Sequence, residues 1–506
     1  MKWIDSVLNK ITMYRLVLYY LIGLLAAAVV FSFFKVLPYD PLGIVFSALF
    51  IIAACWITNE LFSRVWRVPA NVESLYITAL ILALLIPPFS LDRAGSYFSL
   101  AIWASLWAMA SKYIFAVNKK HLFNPAAFAV ALTALTLGQS ATWWVGTLPM
   151  LPFVFIGGFL MVRKILRWDL VLSFFAVAFL AISGFGIAAG QNIGLTAERL
   201  LENTPFFFFA FVMLTEPLTT PPTRRLRILY GALVGFLFVP TLHIGSLYST
   251  PELALLAGNV FSYAVSPKRR LVLRLKEKIK LGPGVYEFVF VPDAKMKFTP
   301  GQYLEWTLGH EDSDRRGVRR YFTIASSPTE REFRLGVKFY EPGSTFKKAL
   351  LGMRVGDTVF ASQLAGDFTL PKDKKKKLVF IAGGIGITPF RSMVKYLLDK
   401  NEARSVVLLY SNNHAEEIAY GDIFDEAGRR VGMKTFYTLT GPAPESWAGE
   451  RGYVNAAMIA RCVPDYRERL FYISGPHAMV AATEAVLKRA GVDASQIKKD
   501  FFPGFV

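Results

Sequence analysis

Apolar runs of membrane-spanning length occupy most of the first half of the chain, at 14–34, 41–59, 97–117, 122–138, 147–162, 169–189, 226–243 and 250–265. Two shorter, interrupted runs fall at 72–88 and 204–218. Together they predict ten helical segments. From Leu271 the pattern changes to short, partly alternating stretches at 274–280, 285–291, 302–308, 321–325, 333–339 and 357–362, separated by Gly, Pro and Asp. Six short strands in about a hundred residues predict a small antiparallel barrel. Apolar strands at 378–382, 406–410, 435–440 and 470–474 then alternate with helical stretches at 389–399 and 477–489, which predicts a parallel α/β nucleotide fold. The expected fold class is multidomain. It comprises an α-helical polytopic membrane domain over 1–268, a small β-barrel over 269–371 and a parallel-sheet α/β domain over 372–506.

Charge sharpens this division. The 506 residues carry 56 Lys+Arg and 37 Asp+Glu, a net charge of +19. Residues 1–270 hold only 20 of the basic and 10 of the acidic groups, as expected where a charge in lipid is costly. With the N-terminus in the cytoplasm, seventeen Lys and Arg of that half fall on the inside, and only Lys35, Arg93 and Arg199 on the outside. This asymmetry predicts a multi-pass protein of the plasma (inner) membrane whose N-terminus and C-terminal half both face the cytoplasm. Because the basic groups sit at the ends of apolar runs, the net charge points to membrane lipid and not to nucleic acid. Cys55 and Cys462 are the only cysteines, which excludes a disulfide framework, a four-cysteine iron–sulfur site and a structural zinc cluster.

The two short runs take the third place in each set of five. Both carry Thr and Glu and end in Pro-Pro. Five spans per half require two repeats inserted upside down relative to each other, and short Pro-interrupted segments at matching positions point to a buried ligand site. Glu73, Thr78, Thr215, Glu216 and Thr219 are the polar groups there; the two carboxylates read equally well as surface caps of half-helices. The segments Asn124 to Ala127, Lys164 to Trp168, Thr215 to Thr219 and Tyr230 to Gly235 resemble a family of flavin-binding membrane subunits found in the Rnf electron-transport complex and in the sodium-pumping NADH:quinone reductase. The resemblance implies ten helices in two inverted repeats, a flavin or quinone in the membrane domain and partner electron-transfer subunits. It also implies an FMN joined through its phosphate to a threonine before the sixth helix. In the short loop Gln139 to Trp144 the matching residue is Thr142, although one spacer residue and the usual preceding acid are missing. An ordinary turn is the alternative.

In the second half, Arg320-Tyr321-Phe322-Thr323 offers a cation for a pyrophosphate, an aromatic ring and a hydroxyl. Gly343-Ser344-Thr345 can present backbone N–H groups to phosphate. Gly383, Gly384, Gly386, Thr388 and Pro389 follow an apolar strand and open a helix, a dinucleotide-type turn. Gly475 and Pro476 follow Ser474 after the last predicted strand. The whole segment resembles the ferredoxin–NADP⁺ reductase-type FAD/NAD(P) module. The resemblance implies one non-covalent FAD touched by Arg320, Phe322 and Thr323, its pyrophosphate held by Gly343 to Thr345, and NAD(P)H along Gly384, Gly386, Thr388, Gly475 and Pro476. Thr323, Thr388 and Ser474 are the candidate catalytic side chains; Ser474 stands where a cysteine is common. Ser411-Asn412-Asn413 lacks the Arg that would hold a 2′-phosphate, which favours NADH over NADPH.

These readings converge on an NAD(P)H-dependent flavin oxidoreductase passing electrons from cytoplasmic NAD(P)H to a quinone or an extracytoplasmic flavoprotein. A haem-based transmembrane reductase needs paired axial histidines, and the first half has only His121 and His243, near opposite faces. A transporter with a reductase-like redox sensor is the alternative from another class. Lys372 and Lys374 to Lys377 form a basic run that suits a solvated face or contact with anionic lipid.

Overall fold

The computed structural model describes all residues except 1–7, 9–10, 67–71, 118–119, 193, 195–204, 267–268, 312, 315–316 and 501–506. Lys2, Lys10, Arg67, Lys119, Arg199 and Lys268, used above for orientation, lie outside the described residues. The chain forms two compact units, one through Arg269 and one from Arg270.

The first unit is helical: α1 (Met13–Phe33), α2 (Pro41–Trp66), α3 (Val72–Leu85), α4 (Ala94–Ile114), α5 (Pro125–Leu137), α6 (Leu151–Ile165), α7 (Trp168–Ala188), the single turn α8 (Phe206–Phe208), α9 (Arg224–Leu237) and α10 (Pro251–Val265). The starts follow local chemistry. The Asn124 side chain accepts from the Ala127 N–H with Pro125 in the first turn, and Thr250 does the same for Leu253 ahead of Pro251, so each cap satisfies a donor the helix cannot. Among the described residues, four helices are long and apolar enough to cross a membrane: Met13–Phe33, Pro41–Trp66, Leu148–Ile165 and Trp168–Ala188. Large apolar side chains such as Leu42, Ile57 and Leu180 point outward, the surface that lipid would cover.

Other apolar runs are only partly helical. The run 226–243 stays helical to Leu237, because Pro240 disfavours the helical conformation just before it, and the chain continues into a hairpin of His243–Ile244 with Leu247–Tyr248. In the second short run, α8 passes into a π-turn over Phe209–Met213 shortly before Pro217. α9 and α7 approach closely: a Cβ on Gly231 would lie 2.6 Å from the Leu170 carbonyl oxygen, and one on Gly235 2.7 Å from that of Phe174. Small residues four apart thus let two backbones meet.

The second unit holds two sheets. β1 (Leu271–Gly282), β2 (Val285–Pro292), β3 (Tyr303–Thr307), β4 (Arg319–Thr323), β5 (Phe333–Lys338) and β6 (Thr358–Ala365) form an antiparallel sheet in the order β4-β3-β6-β1-β2-β5, with the short helix α11 (Thr345–Gly352) before β6. Phe288, Phe290, Trp306 and Phe346 are fully buried between them. Next come β7 (Leu378–Gly383), α12 (Thr388–Asp399), β8 (Val406–Asn412), α13 (Gly421–Val431), β9 (Lys434–Leu439), β10 (Glu450–Arg451), α14 (Ala456–Cys462), β11 (Leu470–Ser474), α15 (His477–Arg489) and β12 (Ile497–Asp500). The sheet is wholly parallel, ordered β10-β9-β8-β7-β11-β12. Every residue of β7 is buried, as a central strand covered on both faces requires. The chain reverses its direction of travel across the sheet between β7 and β11, and such a switch point opens a ligand crevice at the carboxyl ends of the strands. In the basic run, Lys374 pairs with Glu402 at 2.6 Å, and Lys377 with Asp465 and Glu468 at 2.9 and 2.6 Å. Local acids therefore neutralise part of its charge.

Candidate active site

β4 is an edge strand, and its alternation sorts the Arg-Tyr-Phe-Thr motif onto two faces. Arg320 and Phe322 both turn toward Phe346 of α11, the guanidinium 5.2 Å and the Phe322 ring 6.0 Å from it. Tyr321 and Thr323 take the other face. The Tyr321 hydroxyl donates to Glu305 at 3.0 Å, and the Thr323 hydroxyl to Asp500 at 3.4 Å.

The fit to a pyrophosphate can be read from what Arg320 and Thr345 already bind. The carboxylate of Asp314 accepts from Arg320 Nη2 at 3.4 Å and from the Thr345 N–H, in the first turn of α11, at 3.3 Å. Thr345 Oγ1 lies 3.0 Å from both the Asp314 N–H and His310 Nε2. Ser344 caps α11 by accepting from Lys347 N–H, and Gly343 makes the turn before it. A buried cation and a helix-start amide thus converge on one anion. A bound pyrophosphate would take over these donors from Asp314, so the residues fit FAD. Sequence reasoning missed Asp314, because nothing local pairs it with Arg320 and with the Thr345 N–H, which is 31 positions away.

At the carboxyl edge of the parallel sheet, the glycine turn leaves β7 as a 3-10 turn over Gly384–Ile387. Gly384 has φ +51° and open space around its missing Cβ, which suits the backbone approach of a dinucleotide. Gly386 has a different reason to be glycine from the one its motif suggests. A Cβ there would lie 2.6 Å from Gly475 Cα and from its nitrogen, so it lets two strand-ending turns touch. Gly383 packs similarly against Met479. The Thr388 hydroxyl turns back to the Ile385 carbonyl at 3.3 Å, Pro389 fills the first turn of α12, and Pro476 precedes α15. Of the three candidate catalytic side chains, Thr323 and Ser474 share a partner, while the Thr388 hydroxyl bonds within its own turn.

What joins Thr323 and Ser474 is Asp500. It ends β12 in register with Ser474, and its Oδ2 accepts from Ser474 Oγ at 3.2 Å and from Thr323 Oγ1 at 3.4 Å. Burial pushes this carboxyl up to about 7, with the two hydroxyl donors pulling the other way. An unfolded aspartic acid loses its proton near pH 4. The folded state therefore holds extra proton between those limits, and the associated stability is full below about pH 4 and lost as pH rises through 7. The tetrapeptide Ile497-Lys498-Lys499-Asp500 has no apolar run to announce a strand, which is why the sequence did not reveal this residue.

In the helical unit the predicted polar residues divide. Glu216 accepts from Asn124 Nδ2 at 2.9 Å and from Thr219 Oγ1 at 3.2 Å, and lies 3.4 Å from His121 Nε2. The Asn124 N–H donates to Asn259 Oδ1 at 2.8 Å, and Asn259 Nδ2 to the Tyr230 hydroxyl at 3.1 Å. Lys112 Nζ donates to the Ser74 carbonyl and hydroxyl at 3.0 and 3.2 Å. Thr78 and Thr215 spend their hydroxyls on carbonyls of their own turns, Ser74 and Phe211. Glu73 lies 3.9 Å from Arg15. The Thr142 side chain is exposed, 3.4 Å from the Leu85 carbonyl oxygen, and the Thr142 and Trp143 N–H groups both donate to that same atom. His121, set aside above for want of a second histidine, belongs to the Glu216 cluster.

Three family models match successive parts of the chain: the NQR2, RnfD, RnfE family over residues 146–267, the oxidoreductase FAD-binding domain over 272–369 and the oxidoreductase NAD-binding domain over 380–485. The chain thus joins a membrane segment of that family to a ferredoxin reductase-type FAD- and NAD-binding module. A glycine betaine monooxygenase reductase subunit of Chromohalobacter salexigens is 29% identical over 224 residues, which is 43% of this chain and 60% of its own. A flavohemoprotein of Pseudomonas putida is 31% identical over 237 residues, 46% of this chain and 58% of its own. NADH-cytochrome b5 reductase 1 of Ajellomyces capsulatus is 28% identical over 260 residues, 48% and 83%. The chain therefore spans about three-fifths of the length of the first two relatives.

Arg320→Ala is expected to weaken FAD binding by roughly 1.5–3 kcal/mol, the worth of a charge-assisted hydrogen bond; flavin released on dilution measures it, and full retention would contradict the pyrophosphate assignment. Asp500→Asn is expected to abolish a transition near pH 7 in the rate of flavin reduction by NADH, read by stopped-flow absorbance. A pH profile unchanged by the substitution would contradict an ionising role for Asp500.

Proposed function

We propose that this chain, an NQR2/RnfD/RnfE-type membrane segment continued by an FAD- and NAD-binding reductase module, is a membrane NADH dehydrogenase that delivers electrons to a quinone or an extracytoplasmic flavoprotein. The observation that carries the reading is the Thr323–Asp500–Ser474 contact, which ties the strand expected beside a flavin to the strand end expected beside a nicotinamide. When bound, FAD would supply the hydride chemistry, accepting a hydride from NADH, which is oxidised to NAD⁺, and passing its electrons on singly. The protein's part is alignment. Arg320 and the start of α11 hold the anionic end of FAD, Thr323 offers a hydroxyl at the reacting end, and Asp500 fixes the Thr323 and Ser474 hydroxyls. At the end of β8, Ser411-Asn412-Asn413 supplies no cation for a 2′-phosphate, which supports NADH.

The acceptor route rests on a length argument. A hydrocarbon core is about 30 Å thick, too far for a cytoplasmic flavin to reach a group on the other side unaided. A second redox group in the helical unit is therefore part of the reading, as an FMN or a quinone. The Glu216–His121–Asn124–Thr219 cluster, with Asn259 and Tyr230 behind it, supports a polar site there, because buried polar networks are retained where they serve a ligand or a proton. Thr142 stays the candidate for covalent FMN. Ten helices in two inverted repeats, with the N-terminus and the reductase module in the cytoplasm and partner subunits at the membrane, complete the proposal.

Proteoliposomes with the reductase module outward and an impermeant acceptor sealed inside test the route. NADH added outside is expected to reduce the sealed acceptor or added membrane quinone, and about tenfold more slowly in Glu216→Gln if this cluster holds the second carrier. Oxidation of NADH by soluble dyes outside, with sealed acceptor and quinone both left oxidised, would contradict it.

A further inference from the structure

Three residues into α12, Arg391 is buried and reaches out of the dinucleotide lobe. Its Nη1 donates to the Ala325 carbonyl at 3.0 Å and to Glu330 Oε2, and its Nη2 donates to Glu330 Oε1 at 2.9 Å. Ala325 is two residues beyond Thr323, and Glu330 lies in the turn between β4 and β5. Glu330 is held from its own side as well, by the Ser327 N–H at 2.6 Å and Arg334 Nε at 3.2 Å, and Arg334 in turn meets Glu287 at 2.5 Å. The Arg391 guanidinium sits 5.7 Å from the centre of the Tyr420 ring, within cation–π range. The next residue repeats the link: Ser392 Oγ donates to the Ser326 carbonyl at 2.7 Å. Close by, a Cβ on Gly336 of β5 would lie 2.7 Å from Thr388 Cγ2, so the Thr388 side chain of one lobe packs against the bare backbone of the other.

A buried ion pair is weak evidence for stability, since well-packed apolar residues often serve as well. Its distinguishing property is direction. A two-point Arg–carboxylate fork fixes an angle as well as a distance. Here it fixes the start of α12, which issues from the nicotinamide-side turn, against the turn that continues the flavin-side strand. Hydride transfer is the kind of step in which displacement by about 1 Å costs around a hundredfold in rate.

We propose that Arg391 and Glu330 are positioning residues, which set the dinucleotide turn against β4 so that nicotinamide and flavin meet in register. This rests on the hydride-transfer reading above. The test uses the full chain, purified with its flavin, carrying Glu330→Gln, Arg391→Lys or Ser392→Ala. Flavin content and the dissociation constant for NADH are expected to stay within about twofold, while the limiting rate of flavin reduction falls at least tenfold in the first two variants and less in the third. The long-wavelength nicotinamide–flavin charge-transfer absorbance should weaken in parallel, and hydrogen exchange at the amides of 325–330 and 388–392 should quicken. A lowered melting temperature with unchanged limiting rate and charge-transfer band would overturn the positioning role. Should either charge variant fail to fold, Ser392→Ala alone decides by the same readouts. Wild-type flavin that NADH does not bleach would overturn the hydride reading itself, an outcome distinct from bleached wild type with unaltered variants.

Discussion

Hydride transfer works only at contact, and two cofactors carried by separately folded lobes meet only if something fixes one lobe against the other. In this protein that constraint is met by buried polar contacts. Asp500 links β11 to β4 by accepting from Ser474 and Thr323, and the Arg391–Glu330 fork links α12 to the turn after β4. One apolar core lies around Phe288, Phe290 and Trp306; the other, around β7 and α12, also takes in Val285 of β2 and Phe368. Apolar packing, including Phe368 against Phe390 and Tyr472, holds the lobes together but is non-directional; hydrogen bonds and charge add direction.

The same division of labour holds in the helical unit. Glycines at 231 and 235 bring α9 against α7, while polar contacts from Glu216 to His121, Asn124 and Thr219 tie the second short segment to the start of α5. An acid in an apolar unit is costly unless it is paired, and here three polar neighbours share the charge of Glu216.

Strands and helices were legible wherever burial repeats along the chain. β7, buried at every position, and α15, bounded by Pro476 and a basic last turn, follow from local pattern. The Gly-rich turn after β7 was legible for the same reason, since a glycine run between an apolar strand and a helix has few other uses. Illegible were the contacts between residues far apart in the chain. Thr323 and Asp500 are 177 positions apart and Arg391 and Glu330 are 61 apart, and no periodicity links such pairs. Asp500 was further hidden because β12 is short, half-exposed and lysine-rich. Gly386 is another case: the motif suggests room for a ligand, whereas the structure shows close contact with Gly475, which a Cβ would meet at 2.6 Å.

The central claim is that one chain connects a nicotinamide-reduced flavin to a second redox group in its membrane unit. Anaerobic titration of the purified full chain with NADH, followed by absorbance in a lipid nanodisc, counts the electrons each chain accepts. A lone FAD takes about two electrons. The account predicts more than two per chain, with a second spectral component reduced after the FAD. A titration that ends at two electrons, with only FAD bleached, would contradict it.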